Sequence, residues 1–195
     1  MKGTIVVCCF RDMVVEKLGS PTWERVLEMS GIPRDTVFKP TEDASDEVVL
    51  EVLHNLCKVL NISIQEATEA FGEYWISCYA PKLYGNFNIL STNSRELVTK
   101  LNEIHSKVIK TMKDAPPPKF RLTWKDEDNL LITYDAKWTL AIFFIGLIKG
   151  VGRYYDEEIS VNMWSSNQML VKFPPIAYAS AEADEFCLEE RKAYQ

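Results

Sequence analysis

The sequence predicts an α+β fold in which a helical first half precedes an antiparallel sheet. Apolar residues recur at helical spacing up to about residue 112, and beyond residue 119 they alternate with polar residues, as in strands. The segment 138–152 is almost wholly apolar, which indicates a helix that is buried on most sides. Helices followed by hairpins, with one buried helix inserted between the hairpins, define the predicted class.

Capping residues set the limits of the predicted helices in the first half. Gly19 is placed to end the first helix as a C′ glycine. Ser63 and Glu66 form a capping box, and Asn93 with Glu96 resembles another. The predicted helices are 2–18, 21–30, 45–60, 63 to about 79, and 94–112.

Two hairpins are predicted in the second half. Residues 120–124 and 130–134 alternate around a polar turn, and 159–163 and 169–173 do the same after the apolar helix. Residues 1–175 are therefore predicted to form one domain, followed by an acidic tail, 176–195. The tail is open to three interpretations: a native terminus, a linker to a further domain, or a docking segment.

Composition excludes several classes of protein. The 195 residues carry a net charge of −6 with scattered Lys and Arg, which argues against a nucleic-acid-binding face. No apolar run reaches the length of a membrane span. The five cysteines form no CxxC pair, so neither a disulfide framework nor a thiolate zinc site is expected, and a cytoplasmic location is predicted.

The two histidines differ in their surroundings. His54 shares helical spacing with Glu51 and Lys58, so it is predicted to lie on a solvated face. His105 lies in the apolar stripe of its helix. Taken alone, that pattern favours a core histidine held by one hydrogen bond. The alternative is an axial ligand, because a neutral imidazole nitrogen directed into an apolar pocket is what haem iron takes from a protein.

Enzymatic motifs are absent from the sequence. It has no GxSxG, P-loop, HExxH or GxGxxG segment, and one inward histidine cannot build a three-histidine metal site. Gly146, Gly150 and Gly152 are better explained by close helix packing or a helix end. The chain is therefore predicted not to be an enzyme, although a catalytic Cys9 or Cys78 is a distant alternative.

Five segments together resemble the H-NOX family, which binds haem and is related to the sensor domain of soluble guanylate cyclase. They occur in the family's order over roughly residues 1–175, and this ordered set favours the ligand interpretation of His105. The segments are Met1–Ile5, Phe71–Trp75, Leu101–His105 with the prolines 116–118 downstream, Phe144–Gly150 and Glu158–Val161.

The resemblance implies haem b with His105 on the iron, but one motif departs from the family. The family's YxSxR motif holds the haem propionates, and here only Tyr134 matches, because Ala136 and Trp138 replace the serine and the arginine. An arginine can bind a carboxylate through two parallel hydrogen bonds, so its loss weakens the anchoring of the haem propionates. Weakened haem binding is therefore expected. The alternative is a haem-free binding or interaction module on the same fold, with Trp138 filling part of the space.

The resemblance also implies which side chains surround the haem. Oxygen-binding members carry a tyrosine where Phe143 stands, so NO and CO binding with poor O₂ affinity is expected. A gas sensor of this kind would signal, through a shift of the 94–112 helix, to a histidine kinase or a diguanylate cyclase or phosphodiesterase. Besides His105 and Tyr134, the expected haem contacts are Ile5, Cys9, Trp75, Tyr79, Pro118, Phe143 and Leu147.

Overall fold

Helices and sheet follow each other as predicted, which confirms the α+β class. The computed structural model describes residues 3–39, 44–85, 91–109, 119–134 and 141–176. The helices are α1 (Gly3–Leu18), α2 (Ser20–Met29), α3 (Asp46–Leu60), α4 (Ile64–Tyr74), α5 (Ala80–Tyr84), α6 (Ser94–Thr99), α7 (Leu101–Ile109) and α8 (Ala141–Tyr154). The strands are β1 (Arg121–Trp124), β2 (Asn129–Thr133), β3 (Ser160–Ser165) and β4 (Gln168–Lys172).

The predicted capping signals are present at the helix ends. The Ser63 hydroxyl accepts from the backbone N–H of Glu66, whose carboxylate accepts from the Ser63 N–H at 2.8 Å. Gly19 ends α1 with φ 85°, a conformation that favours glycine. These contacts satisfy backbone groups that the helix ends leave without partners.

Two predicted helices are interrupted. A π-helical turn, Trp75–Tyr79, separates α4 from α5, so the helix that was predicted to end near Tyr79 changes its winding and runs on. The single helix predicted over 94–112 is wrong: it divides at Lys100 into α6 and α7. Neither change is marked by a proline or a glycine within the altered turn, which is why the sequence did not predict it.

Both hairpins join one sheet of strand order β1-β2-β4-β3, with every neighbouring pair antiparallel. The two hairpins meet where Leu130 pairs with Val171 and Ile132 with Met169. These four side chains lie on one face and belong to the hydrophobic core. The helix α8 is inserted between the hairpins, as predicted, and its residues join the same core.

A seam of glycines brings α8 against α4. A Cβ added to Gly146 would meet the carbonyl oxygen of Thr68, and one added to Gly72 would meet the carbonyl oxygen of Gly146. A Cβ on Gly150 would meet the backbone of Gly72. The predicted close helix packing is thus confirmed, and its partner helix is α4. None of the helices in the described ranges is long and apolar enough to cross a membrane.

Candidate functional site

His105 lies on α7 next to a pair of stacked aromatic rings. Its side chain is half-buried, and its ring centroid is 5.8 Å from that of Phe120. Phe120 in turn stacks on Phe144 of α8, with centroids 4.4 Å apart and planes inclined by 12°. Ile104, the preceding residue, is buried. The imidazole is therefore held at the edge of the core by apolar surfaces.

A two-way hydrogen bond fastens α7 to the chain that leads into β1. The Asn102 side-chain amide donates to the Phe120 carbonyl at 2.6 Å, and the Phe120 N–H donates to the Asn102 amide oxygen at 3.0 Å. Asn102 precedes His105 by three residues, so both lie on neighbouring positions of one helix face. The same residue, Phe120, therefore touches the imidazole through its ring and anchors its helix through its backbone.

On the other side of α8, aromatic rings form a continuous cluster. Phe143 lies 5.8 Å from Phe10 and 5.5 Å from Phe71, and Phe10 lies 4.9 Å from Phe71, measured between ring centroids. Trp75 extends the cluster at 5.7 Å from Phe71 and contacts Tyr79 at 5.3 Å. The π-helical turn carries both of these last rings. It thereby brings Trp75 and Tyr79 into one apolar wall.

Adjacent residues of α8 thus reach two different surroundings. Phe143 joins the cluster formed by α1, α4 and the π-helical turn, whereas Phe144 stacks on Phe120 beside His105. Both side chains are buried. The helix α8 therefore packs against the surroundings of His105 and against the aromatic cluster at once.

Three of the remaining residues that were expected to contact haem lie on α1 and α8. Ile5 and Cys9 are buried on α1, the helix that supplies Phe10, and Leu147 is half-buried on α8. Burial raises the pKa of the Cys9 thiol well above its ordinary value, with a further increase from Asp12. Cys9 therefore offers a neutral thiol rather than a thiolate. Pro118 lies outside the described residues.

Tyr134 is buried at the end of β2 and is tied to the turn between β3 and β4. Its hydroxyl donates to the Ser166 carbonyl at 3.1 Å, and its N–H donates to the Asn167 carbonyl at 3.0 Å. Burial raises the pKa of the Tyr134 phenol, so the hydroxyl keeps its proton at neutral pH. The other two positions of the departed motif, 136 and 138, lie outside the described residues.

The described part of the chain contains no cluster of side chains that could form another kind of metal site. There, no group of three or more His, Cys, Asp or Glu side chains could hold a metal ion. His54 is exposed, as predicted, and Cys8, Cys9, Cys57 and Cys78 are free thiols. Of the two imidazoles, His105 is the one that lies beside core aromatic rings.

We expect alkylation to separate the described thiols by burial. Iodoacetamide at pH 8 should modify the half-buried Cys78 well before Cys9, because Cys9 is buried and its pKa is raised. Each pKa unit of increase removes about 90% of the reactive thiolate. Peptide mapping over time measures the order. Modification of Cys9 in the folded protein at the rate of Cys78 would contradict its placement in the core.

Several residues of the site were not identified from the sequence. The sequence predicted no role in the site for Phe10, Phe120 or Asn102. It named Phe71 and Phe144 only as members of segments that resemble the family. Phe120 did carry a signal, since it begins an alternating stretch directly after the proline-rich segment. The contact between Asn102 and Phe120 spans 18 residues, so no local pattern indicated it.

Helices packed on an antiparallel sheet, with His105 beside a stacked pair of aromatic rings, define the class of this domain as α+β. The chain belongs to the haem-NO-binding family (HNOB, or H-NOX), whose family model matches residues 2–163. Domains of this family bind haem and are sensor domains rather than catalysts.

Relatives and solved structures agree with this assignment. Soluble guanylate cyclase gcy-35 of Caenorhabditis elegans is 24% identical over 166 residues, which cover 82% of this chain and 24% of the relative. An H-NOX protein from S. oneidensis in the Fe(II)NO ligation state shares the fold, with a TM-score of 0.72 at 18% identity over 90% of this chain and all of the other. An oxygen-binding H-NOX domain in its oxygen complex gives 0.66 at 21% identity, covering 91% and 97%. The chain thus spans about a quarter of the length of its cyclase relative.

Proposed function

We propose that this chain is a haem-based sensor of NO and CO in which His105 ligates the iron of haem b. The observation that carries the proposal is the position of His105, beside the Phe120–Phe144 stack and across α8 from the aromatic cluster. Membership of the haem-NO-binding family supports it.

The donor groups in the described residues fit this cofactor. His105 supplies one half-buried imidazole, and the buried Cys9 thiol of α1 stays protonated, so it does not compete as a thiolate. Ile5 and Phe143 are apolar and fully buried, so a porphyrin would reach them only where the core around them opens. When bound, haem would supply an iron atom able to take a diatomic gas, and His105 would hold that iron.

Anchoring of the haem propionates is expected to be weak. The Tyr134 hydroxyl has one proton, and it donates that proton to the Ser166 carbonyl, so a carboxylate would have to compete for it. Burial of a few hundred Å² of porphyrin contributes about 5–10 kcal/mol before ordering costs. Loss of the arginine pair removes a few kcal/mol at most. Because the gain from burial exceeds the loss of the arginine pair, we expect weakened haem binding rather than no haem binding.

Gas selectivity is proposed to follow from Phe143. Bound O₂ carries partial negative charge and needs a hydrogen-bond donor, whereas NO and CO need one much less. Phe143 is fully buried among aromatic rings and donates nothing. After reconstitution of the full chain with hemin and reduction, we expect NO and CO to shift the Soret band and air to oxidise the iron without a stable O₂ complex. A Soret band that is no different from that of free hemin, or that gel filtration separates from the protein, would overturn the proposal.

Phe143→Tyr is expected to increase O₂ affinity. The added hydroxyl gives the pocket a donor, and a gained hydrogen bond of about 1.4 kcal/mol corresponds to a tenfold tighter complex. Stopped-flow absorbance of the reduced protein mixed with O₂ measures the change as the lifetime of the oxygenated spectrum before the iron oxidises. Phe144→Tyr is the matched control, because that ring stacks on Phe120 and lies on the His105 side of α8. Equal O₂ behaviour of both variants would contradict the assignment of Phe143 to the gas-binding side.

The signal is proposed to leave through α7. Asn102 fastens this helix to the start of β1, and Phe120 and Phe144 connect His105 to α8. A change in the force on the His105 side chain therefore acts on the sheet and on α8 together. Two packings of α7 whose populations differ with gas would constitute the sensor output.

Asn102→Ala is expected to loosen α7 and to lower the free energy of unfolding by about 1–3 kcal/mol, since it leaves both backbone groups of Phe120 without their partner. Urea denaturation followed by circular dichroism measures the loss. Glu103→Ala is the matched control on the same helix, because its ion pair with Lys107 is exposed and contributes about 0.5 kcal/mol or less. Equal stability of the two variants would show that the Asn102 contact does not hold α7.

A haem-free interaction module on this fold is the second candidate. The direct contact among Phe10, Phe71 and Phe143, and the internal bond of Tyr134 to Ser166, favour it, because both leave the core satisfied without a cofactor. Under this alternative hemin would bind without saturation and independently of His105.

The partner and the location of the protein are likewise proposals. By family resemblance, the sensor would act on a histidine kinase or on a diguanylate cyclase or phosphodiesterase in the cytoplasm. Residues 1–175 would form the sensing domain, and 176–195 its acidic tail. Catalysis by the chain itself is not part of the proposal.

A further inference from the structure

One face of the sheet points away from the hydrophobic core, and we call it the outer face. Leu131 of β2 is paired with Thr123 of β1 and with Leu170 of β4, and Leu170 is paired with Asn162 of β3. Because directly paired residues share a face, these four side chains form a row across all four strands. The residues before and after Leu131 face the opposite way and belong to the core.

Leu131 is buried although it lies outside the core. It is 6% exposed, yet it is not among the residues of the hydrophobic core cluster, whereas its neighbours along β2 are. Thr123 and Asn162, at the two ends of the row, are exposed. The half-buried Leu170 is therefore the apolar side chain that this row still offers to another segment.

The outer face is also basic. The outward-facing strand residues, which alternate with the core residues, include two with charge: Arg121 on β1 and Lys172 on β4. Both are exposed cations, and no strand residue on this face is acidic. An acidic segment with a few apolar side chains matches such a surface in charge and in polarity.

We infer that the outer face is the docking surface for the acidic segment 177–195 of this same chain. The segment carries five acidic and two basic side chains, and Phe186 and Leu188 flank Cys187 at its centre. It follows Ile176, four residues beyond the end of β4, in a stretch whose Pro174 carbonyl accepts a hydrogen bond from Arg95 of α6.

The segment is long enough to cover this face. Nineteen residues span up to ~60 Å when extended, and four strands are only ~14 Å across. Docking would cover Leu170 and would place carboxylates near Arg121 and Lys172. Because the segment is covalently attached, its effective concentration at the face is high, so a modest affinity suffices.

Disulfide trapping in the full chain tests the inference with a native thiol. Thr123→Cys places a thiol on the exposed end of the row, and Cys187 supplies its partner from the segment. Under mild oxidation with diamide, we expect peptide mapping to find this disulfide within one chain. Arg25→Cys on α2, also exposed and in contact with α1 and α3, is the matched control. The thiol of the Arg25→Cys variant should form a disulfide with Cys187 at least ten times more slowly than the thiol of the Thr123→Cys variant.

Charge reversal separates docking from random encounter. In the Thr123→Cys background, Arg121→Glu with Lys172→Glu should slow trapping about tenfold, and so should raising the salt to 1 M. Lys58→Glu, an exposed change on α3, should have no effect. Circular dichroism confirms that each variant keeps its sheet. Equal trapping in Thr123→Cys and Arg25→Cys, no effect of charge reversal, or disulfides formed mainly between two chains would each overturn the inference; the last would assign the face to a second copy.

Discussion

Gly146→Ala is expected to cost about 3 kcal/mol or more in free energy of unfolding, since overpacking of a tight core typically costs 1–3 kcal/mol and here the new methyl meets backbone. The Cβ would overlap the Thr68 carbonyl oxygen of α4, and no side-chain rotation can relieve that contact. The two helices would have to separate along the seam that Gly72 and Gly150 also line. A loss of this size is a large part of the 5–15 kcal/mol that stabilises an ordinary domain.

Urea denaturation of the purified protein measures this effect, and the chain offers a matched control. Gly31→Ala makes the same chemical change where nothing lies within 4 Å of the added Cβ. Its cost should be only about 1 kcal/mol, because φ is +69° there. Ion pairs from Lys149 and Arg153 to Glu69 also bridge α8 and α4, but neither pair can remove the overlap of the new methyl group with backbone. Similar midpoints for both variants would contradict the close packing.

His105→Gly is expected to lower hemin affinity by at least about 100-fold, equivalent to about 3 kcal/mol of lost ligation. The variant removes the imidazole next to the Phe120 ring and leaves the apolar walls around Phe143 in place. The Soret band of the remaining complex should shift, because the iron loses its protein nitrogen. Absorption titration of the full chain with hemin measures both effects.

His54→Gly is the matched control for this substitution. Both histidines lie on helices, so glycine costs each about 1 kcal/mol of helix stability, and only the imidazole's position differs. His54 is exposed on α3 and should leave affinity and spectrum unchanged. If both variants weakened hemin binding equally, the loss would come from helix stability and not from ligation.

The sequence predicted the structural features that depend on residues close together along the chain. It did not predict the features that depend on contacts between distant segments. The alternating strands, the buried α8 and the capping box at Ser63 each depend on neighbours within one turn or hairpin. The break at Lys100 and the π-helical turn at Trp75–Tyr79 depend instead on how these segments pack against the rest of the fold, which propensity does not encode. The glycines of α8 indicated close packing, but the partner, Gly72, lies 74 residues earlier.

The sequence predicted some residues of the candidate site and missed others, as it did for the fold. The apolar stripe drew attention to His105, and the family resemblance selected the ligand interpretation that the pattern alone disfavoured. Resemblance also selected Phe143, which the structure places in a buried aromatic cluster. Phe10 and Phe120 were missed because their rings meet the site only through long-range contacts. Haem contact by these residues remains a prediction.

Rescue by free imidazole tests most directly whether His105 is the iron ligand. The absorption spectrum of hemin bound to His105→Gly is recorded before and after imidazole is added to the solution. The account predicts that imidazole enters the space that the side chain leaves beside Phe120 and restores the wild-type spectrum. A wild-type spectrum before imidazole is added, or a spectrum that imidazole leaves unchanged, would contradict ligation by His105.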